Sequence, residues 1–304
     1  MTNVNSLDLE SGSAQYAYAV DSTSLSITGD ITIEGWVKLE SFTNNIAIVA
    51  KMDSGSTRSY ALLLIFVDAN SYRISFDYST DGSALTQRQV TISNAFPTGT
   101  WTHYAATFEA ATDQAIVFIN STNSGSSTGA GPITINDSTS QVRIGRQASD
   151  YNTYLDGLVD EIRIWNAKRT ATEISTNYQR ELAGNETNLQ GYWPLENNYL
   201  DSTTNDNDLT PSGTPVFSAD VPFADTTTTS TTTTSTSTTT STSTSTSIST
   251  STTGTNTSTS TTTSTSTSKT TSTSTTSTSS STTTTSTSTT STSTSTTSTS
   301  TTLD

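Results

Sequence analysis

The chain has 304 residues, of which 12 are Lys or Arg, 27 are Asp or Glu, one is His and none is Cys, giving a formal net charge of −15. Without Cys it forms no disulfide and no thiolate zinc site, and a single His leaves little room for a Ser-His-Asp triad. A surface this acidic repels phosphate backbones and anionic lipid, which argues against nucleic-acid partners and favours divalent cations, neutral glycans or basic partners.

Composition divides the chain into two parts. Residues 226–304 are almost entirely Ser and Thr, and such a tract cannot bury enough apolar surface to offset the entropy lost on folding. The sequence therefore predicts a disordered Ser/Thr-rich stalk over 226–304, which spaces a head from a surface, carries O-linked sugars, or does both. Residues 1–225 are predicted to form one head domain, because all-β sandwiches of roughly 200–250 residues commonly fold as one unit.

The stalk favours an extracellular, cell-surface or virion-surface localisation. No apolar run approaches the ~20 residues that span a bilayer, so no membrane insertion is predicted. Residues 1–10 also lack the basic and then apolar profile of a secretory signal. An extracellular protein with this sequence has either lost its leader or uses another export route.

Alternation of apolar and polar residues dominates the first 165 positions of the head, most clearly over residues 31–39. Similar segments lie at 46–51, 60–67, 72–78, 88–92, 102–108, 115–120, 141–145 and 158–165. Turn sequences such as Asp81-Gly82 separate them. Many short strands with polar turns predict an all-β, antiparallel two-sheet sandwich.

One segment has helical rather than strand character. The sequence from Thr170 to Glu173 has the spacing of a capping box, and Ile174, Tyr178 and Leu182 follow at four-residue intervals. This pattern predicts a short helix over residues 171–182. A further strand is predicted over 189–195, followed by an acidic, Asn-rich turn over 201–208.

Three runs resemble a known family: residues 31–37 (ITIEGWV), 99–108 (GTWTHYAATF) and 156–166 (DGLVDEIRIWN). In order and spacing they are similar to the laminin G-like, concanavalin A-like jelly rolls. The resemblance implies two antiparallel sheets, one of them concave, with ligands at the concave face or at a rim and often a bound calcium ion. It implies no single function, because this fold serves lectins, adhesins, glycanases and structural modules.

Calcium requires six to eight oxygen ligands, which clustered Asp and Asn residues supply. The candidate calcium ligands in two such clusters are Asp150, Asn152, Asp156, Asp160, Asp201 and Asp206. Neither cluster has EF-hand spacing. The alternative is that these residues are solvated turn formers, a role for which Asp and Asn are the usual choice.

The sequence argues against an enzyme. Asp160 and Glu161 are neighbours on a predicted strand, so strict alternation would point them to opposite faces. Retaining glycanases of the related fold resemble one another in carrying two carboxylates at alternate strand positions. Ile162 and Arg163 occupy the corresponding positions here.

Tyr151 and Tyr154 are the candidate ligand-binding residues, because they lie in a polar loop where no core explains them. Stacking on a sugar ring is the role we expect for them. Other aromatic candidates are Trp36, Tyr60, Tyr72 and Tyr78, whereas packing is the alternative for Trp36, Trp101, Trp165 and Trp193. We expect His103 to be a structural, hydrogen-bonded residue.

Asn120, Asn136, Asn185 and Asn256 start Asn-x-Ser/Thr triplets and are candidate glycosylation sites in a host that glycosylates.

Three functions remain open. The first is a non-enzymatic surface module that recognises a glycan or a surface protein and is displayed on the stalk. The second is a structural subunit of a surface layer, fibre or phage appendage, for which self-association is expected. The third is an accessory domain of a polysaccharide hydrolase.

Overall fold

The computed structural model describes residues 3–53, 55, 57–148 and 152–223 and the backbone of 235–251 and 258–274. The chain divides into two compact units, residues 1–225 and 226–304. The first is the predicted two-sheet antiparallel sandwich. The strands of its first sheet are β1 (Ser6–Leu9), β3 (Ile31–Leu39), β8 (Thr102–Glu109), β9 (Gln114–Ile119), β10 (Thr122–Thr128), β12 (Gly157–Trp165), β13 (Leu189–Trp193) and β15 (Val216–Ser218). Those of the second are β2 (Tyr16–Ala19), β4 (Ile46–Met52), β5 (Arg58–Asp68), β6 (Ser71–Tyr78), β7 (Thr86–Ile92), β11 (Val142–Ile144) and β14 (Thr210–Ser212).

Antiparallel pairing sets the strand order in both sheets. The first sheet runs β10-β9-β8-β3-β12-β1-β15, with β13 also paired to β12, and the second runs β14-β2-β11-β4-β5-β6-β7. Odd-numbered residues of β3, such as Ile31 and Ile33, and alternate residues of β5 and β6, such as Leu62 and Ile74, are buried in one core between the sheets. This matches the predicted alternation, because only one face of each strand meets the opposite sheet.

The outer face of the first sheet is covered by helix α1 (Ala171–Asn177) and the segment after it. The predicted capping box is present: the Thr170 hydroxyl accepts a bond from the Glu173 amide, and the Glu173 carboxylate accepts one from the Thr170 amide. The helix ends at Asn177, five residues before the predicted end. The carbonyls of Asn177 and Tyr178 instead accept bonds from Arg163 and from the Trp36 indole.

A charged network lies beneath this cover. Glu34 is fully buried; its carboxylate accepts a bond from the Trp165 indole at 2.9 Å and lies 3.4 Å from His103 Nε2. Burial alone would raise the pKa of Glu34, but His103 and the Arg163 guanidinium lower that pKa to about 2. His103 is therefore buried beside the Glu34 carboxylate, but neither of its ring nitrogens makes a hydrogen bond to the described residues, so the expected hydrogen-bonded role is not confirmed.

In the second unit, β16 (Ser235–Ser251) and β17 (Ser258–Ser274) pair antiparallel in continuous register. The sequence predicts disorder there. Thr favours extended backbone, whereas an isolated two-stranded ribbon is marginally stable in water. Residues 226–234, 252–257 and 275–304 lie outside the described residues, and the stalk stays a prediction.

Candidate binding site at one rim of the sandwich

The candidate site is a hollow of about 160 Å³ at one end of the sandwich. Three loops meet there because Leu9 and Leu39 both pair with Gly157, from opposite sides of β12. The residues that follow β1, follow β3 and precede β12 are therefore neighbours. The hollow is lined by Ser11, Ser41, Phe42, Thr43, Asn44, Ile46, Asn152, Thr153, Tyr154 and Asp156.

Asp156 ties the three loops together. Its Oδ1 accepts bonds from the Ser11 amide at 3.1 Å and the Ser11 hydroxyl at 2.9 Å, and its Oδ2 accepts one from the Ser41 hydroxyl at 2.7 Å. Partial burial would raise the pKa of Asp156, but the bonds from Ser41 and Ser11 outweigh burial and keep that pKa below its usual value. The hollow therefore contains a charged carboxylate at neutral pH.

Further carboxylates surround this rim. The pKa of Glu10 is raised chiefly by the charge of Asp8, with contributions from Glu40 and Asp156. The pKa of Asp8 is raised by burial and by Asp156. No Lys or Arg is among the described residues that line the hollow. The local field is negative, so an anionic ligand is disfavoured.

Tyr154 forms one wall of the hollow and is half-buried. The Arg146 guanidinium lies 5.0 Å from the centroid of the Tyr154 ring and 5.0 Å from that of Tyr16. The two tyrosine rings are 6.2 Å apart, and a backbone bridge joins Arg146 to Tyr154. The Tyr154 ring is thus held by Arg146 and Tyr16 while the residue stays partly exposed, a combination that suits a stacking platform.

The loop that carries Tyr154 is closed at its base and packed at Ala148. The Leu155 amide donates to the Gly145 carbonyl at 2.8 Å. Ala148 packs with Ala47 and Leu63, which belong to a small apolar cluster separate from the core between the sheets. These contacts position Asn152 to Asp156 against the β3–β4 loop.

A second hollow of about 250 Å³ adjoins the first. It is lined by Thr43, Asn44, Asn45, Phe66, Gln147 and Thr153, of which Thr43, Asn44 and Thr153 also line the first. The two hollows are therefore separated by a narrow ridge of shared residues.

The structure places Asn152, Tyr154 and Asp156 together in the first hollow. Asp150 and Tyr151, predicted for the same site, lie outside the described residues. Sequence reasoning missed Ser11, Ser41 and the β3–β4 loop. Ser11 and Ser41 are 145 and 115 residues from Asp156 in sequence, and only the strand register brings them close to it.

The other predicted calcium ligands lie elsewhere. Asp160 is buried on the outer face of the first sheet, where Asn3 donates to it at 2.9 Å. Asp201 accepts bonds from the Tyr192, Thr203 and Asn207 amides, which fixes the 201–208 turn. Asp206 is exposed in that turn with a positive φ of 54°.

The calcium prediction depends on clustered acidic residues, which can be checked only over the described part of the chain. Within the described ranges, no group of three or more Asp, Glu, His or Cys residues is arranged to hold a metal ion. Asp156 is the one described carboxylate lining the first hollow, and the oxygens of Asp201 already accept protein donors. Calcium stays a prediction drawn from the family resemblance.

The predicted opposite orientation of Asp160 and Glu161 is wrong. Glu161 has a φ of 53° at a β-bulge, where the register with β3 shifts between Asp160 and Arg163. Val159 and Ile162 both enter the core between the sheets, so the two carboxylates between them lie on the outer side. Both carboxylates are 0% exposed.

Four of the predicted stacking aromatics are buried, because they lie on core-facing positions or under α1. Trp36, Tyr60, Tyr72 and Tyr78 are 4%, 0%, 2% and 2% exposed. Trp165 and Trp193 are buried as the packing alternative expects, and Trp101 is half-buried.

The candidate glycosylation sites differ in access. Asn120 and Asn185 are exposed. Asn136 is half-buried, and its amide donates to the Arg58 carbonyl at 3.0 Å. Asn256 lies outside the described residues.

A family model described as the concanavalin A-like lectin/glucanases superfamily, of the laminin G type, matches residues 11–175. The match covers more than half of the chain, so the chain belongs to this superfamily. No curated protein sequence matches the chain.

The chain is similar to solved structures of low sequence identity, and the first of those described next shares its fold. A candidate carbohydrate-binding protein from Bacteroides ovatus matches at TM-score 0.56 and 15% identity, over 74% of this chain and 62% of that one. The chain thus spans less than two thirds of that relative. The sialidase carbohydrate-binding module of Ruminococcus gnavus, bound to sialyllactose, matches at TM-score 0.42 and 11% identity, over 58% of this chain and 98% of that one. Domain 4 of a Geobacillus stearothermophilus arabinanase, bound to arabinotriose, matches at TM-score 0.38 and 21% identity, over 50% and 68%.

Proposed function

We propose that the head is a non-enzymatic carbohydrate-binding module whose ligand occupies the first rim hollow. The observation that carries the proposal is the arrangement of Tyr154 there. Tyr154 is partly exposed, its ring lies against Arg146 and Tyr16, and it forms a wall of a hollow otherwise lined mainly by hydroxyl and amide groups.

The chemistry of the lining suits a sugar. Ser11, Ser41, Thr43, Asn44 and Asn152 offer donors and acceptors for sugar hydroxyls, and the tyrosine ring offers an apolar face for a sugar ring. Asp156 and the nearby carboxylates favour neutral or cationic sugars over sialic and uronic acids. Membership of the lectin/glucanases superfamily and the fold shared with the Bacteroides ovatus protein support this class of function.

A binding role is favoured over catalysis by the burial of the acidic residues of β3 and β12. Glu34, Asp160 and Glu161 are each 0% exposed on the outer side of the first sheet. A glycosidase needs two carboxylates that reach the sugar. Carboxylates that do not meet solvent are better explained as structural.

We further propose that the head is displayed outside the cell or on a virion by the Ser/Thr stalk. The part of the chain that the structure describes contains no helix with the length and hydropathy of a membrane span.

The calcium prediction is tested by measuring the melting temperature with added calcium and then with a chelator. A rise with calcium supports metal ordering of the rim.

A glycan array with the full chain tests the proposal. We expect hits among neutral or amino sugars that are lost in Tyr154→Ala and kept in Tyr199→Ala, a control tyrosine that lines neither hollow. An array without hits, together with self-association in sedimentation, favours the structural-subunit alternative. Binding to insoluble polysaccharide alone favours the hydrolase-accessory alternative.

A further inference from the structure

We propose that the two rim hollows are consecutive subsites for one linear oligosaccharide, with the second sugar stacking on Phe66. This inference rests on the proposed function, because it assigns the first hollow to a sugar. It adds a second subsite, a minimum ligand length of two sugar units and a residue that determines specificity.

The shared ridge carries the first step. Thr43, Asn44 and Thr153 line both hollows, so the two hollows are adjacent and one linear ligand can contact both. Hydroxyl and amide groups on such a ridge can bond to the hydroxyls that flank a glycosidic bond. The two hollows together exceed 400 Å³, with 160 Å³ in the first and 250 Å³ in the second, which falls within the usual range for ligand pockets, roughly 300–1,000 Å³.

Phe66 supplies the stacking surface of the second subsite. Phe66 lines the second hollow and is 36% exposed, so part of it is open to a ligand there. Its ring centroid lies 5.7 Å from that of Phe42 in an edge-on contact, and its amide donates to Asn45 Oδ1 at 3.1 Å. The ring is therefore held in place before ligand arrives, so stacking on it costs little side-chain entropy.

The lining of the second hollow defines its ligand class. Besides Phe66 it consists of Thr43, Asn44, Asn45, Gln147 and Thr153, and these described residues include no ionisable group. A neutral sugar meets suitable partners there, whereas a charged one would be desolvated without a counter-charge. The second subsite thus accepts a neutral sugar even if the first, beside Asp156, takes an amino sugar.

Calorimetry with the full chain tests the inference. The probes are gluco-, xylo-, manno- and N-acetylglucosamine oligomers of one to four units. For the series that binds, we expect affinity to rise about tenfold from one unit to two or more, as burial of one ring face implies. Phe66→Ala should remove this gain and reduce monosaccharide affinity by a much smaller factor, the small loss arising because Phe66 packs on Phe42 of the first hollow.

Three further variants keep the result interpretable. Phe66→Leu retains apolar bulk against Phe42 and should also lose the gain, which separates stacking from misfolding. Val67→Ala, an equally exposed neighbour at 38% that lines neither hollow, should behave as wild type. Tyr154→Ala should weaken binding at every length.

The outcomes are distinguishable. Equal affinity for one and several units, or an undiminished gain in both Phe66 variants, overturns the second subsite and leaves the proposed function standing. Absence of binding by every probe at every length overturns the proposed function and this inference with it.

Discussion

At the scale of single residues, two buried groups in the charged network have shifted pKa values. Their contributions to the stability of the fold change in opposite directions with pH. Burial raises the pKa of Glu161 to about 7, despite bonds from Arg163 and Tyr192. Burial also lowers the pKa of His103, despite Glu34. Glu161 therefore stabilises the fold most below its unfolded pKa and loses that contribution as pH rises through about 7. His103 loses its contribution as pH falls below its unfolded value.

The pH dependence of stability that Glu161 contributes predicts the effect of Glu161→Gln. The free energy of unfolding of the variant, relative to wild type, should rise between pH 5 and pH 8, by at most about 3 kcal/mol. The pKa of neighbouring Asp160 is also raised, by burial and by Glu161. The variant should therefore still lose some stability as pH rises, but with a smaller slope than the wild type. Urea unfolding of both proteins at the two pH values measures this. A difference that does not change with pH would show that Glu161 is ionised throughout.

At the scale of elements, the start of β12 depends on a glycine. Gly157 has a φ of +135°, and an added Cβ would lie 2.2 Å from the Lys38 carbonyl oxygen. We expect Gly157→Ala to destabilise the head by several kcal/mol, on the order of 2–4, and to weaken ligand binding because Asp156 precedes it. Gly29→Ala, where an added Cβ meets nothing within 4 Å, is the control in thermal unfolding. Equal melting temperatures would refute the steric argument.

The helix start gives a milder prediction. Thr170→Ala removes the side-chain half of the capping box and should lower the free energy of unfolding by about 1 kcal/mol. Thr172→Ala changes an exposed Thr of the same helix without touching the cap and should have little effect. Urea titration compares the two variants, and similar losses in both would argue against capping as the cause.

Sequence patterns predicted some elements and missed others for physical reasons. β3 and β12 are visible in the sequence because each is nine residues long and carries several apolar residues that enter the core. β10 (Thr122–Thr128) is not predicted from the sequence, because its residues, TNSGSST, have no apolar face. The strand joins the sheet by pairing with β9. The bulge at Glu161 was also missed, since a positive φ at a non-glycine residue leaves no mark in an alternation pattern.

The same limit applies to the rim. The polar loop indicates Asn152, Tyr154 and Asp156 as site residues, because packing in a core does not explain a tyrosine in such a loop. Phe66 lies within an apolar strand pattern and gave no such signal. Its proposed role depends on contact with the β3–β4 loop, and that contact forms only in the folded structure.

At the scale of the whole molecule, the contact pattern separates residues 1–225 from 226–304. A chain ending at residue 225 should therefore keep the melting temperature of the full chain within about 2 °C, because the core lies entirely in the first unit. Calorimetry of both forms checks this. A clear loss of stability on truncation would mean that the tail contributes contacts to the head.

The register that joins Leu9, Gly157 and Leu39 brings loops from three distant parts of the sequence to one rim. The sheets, not the loops, fix where those loops meet. Substitutions within one loop can then alter the lining of the hollow while the other two preserve its shape. Proteins built on this frame can change that lining stepwise, without refolding the core.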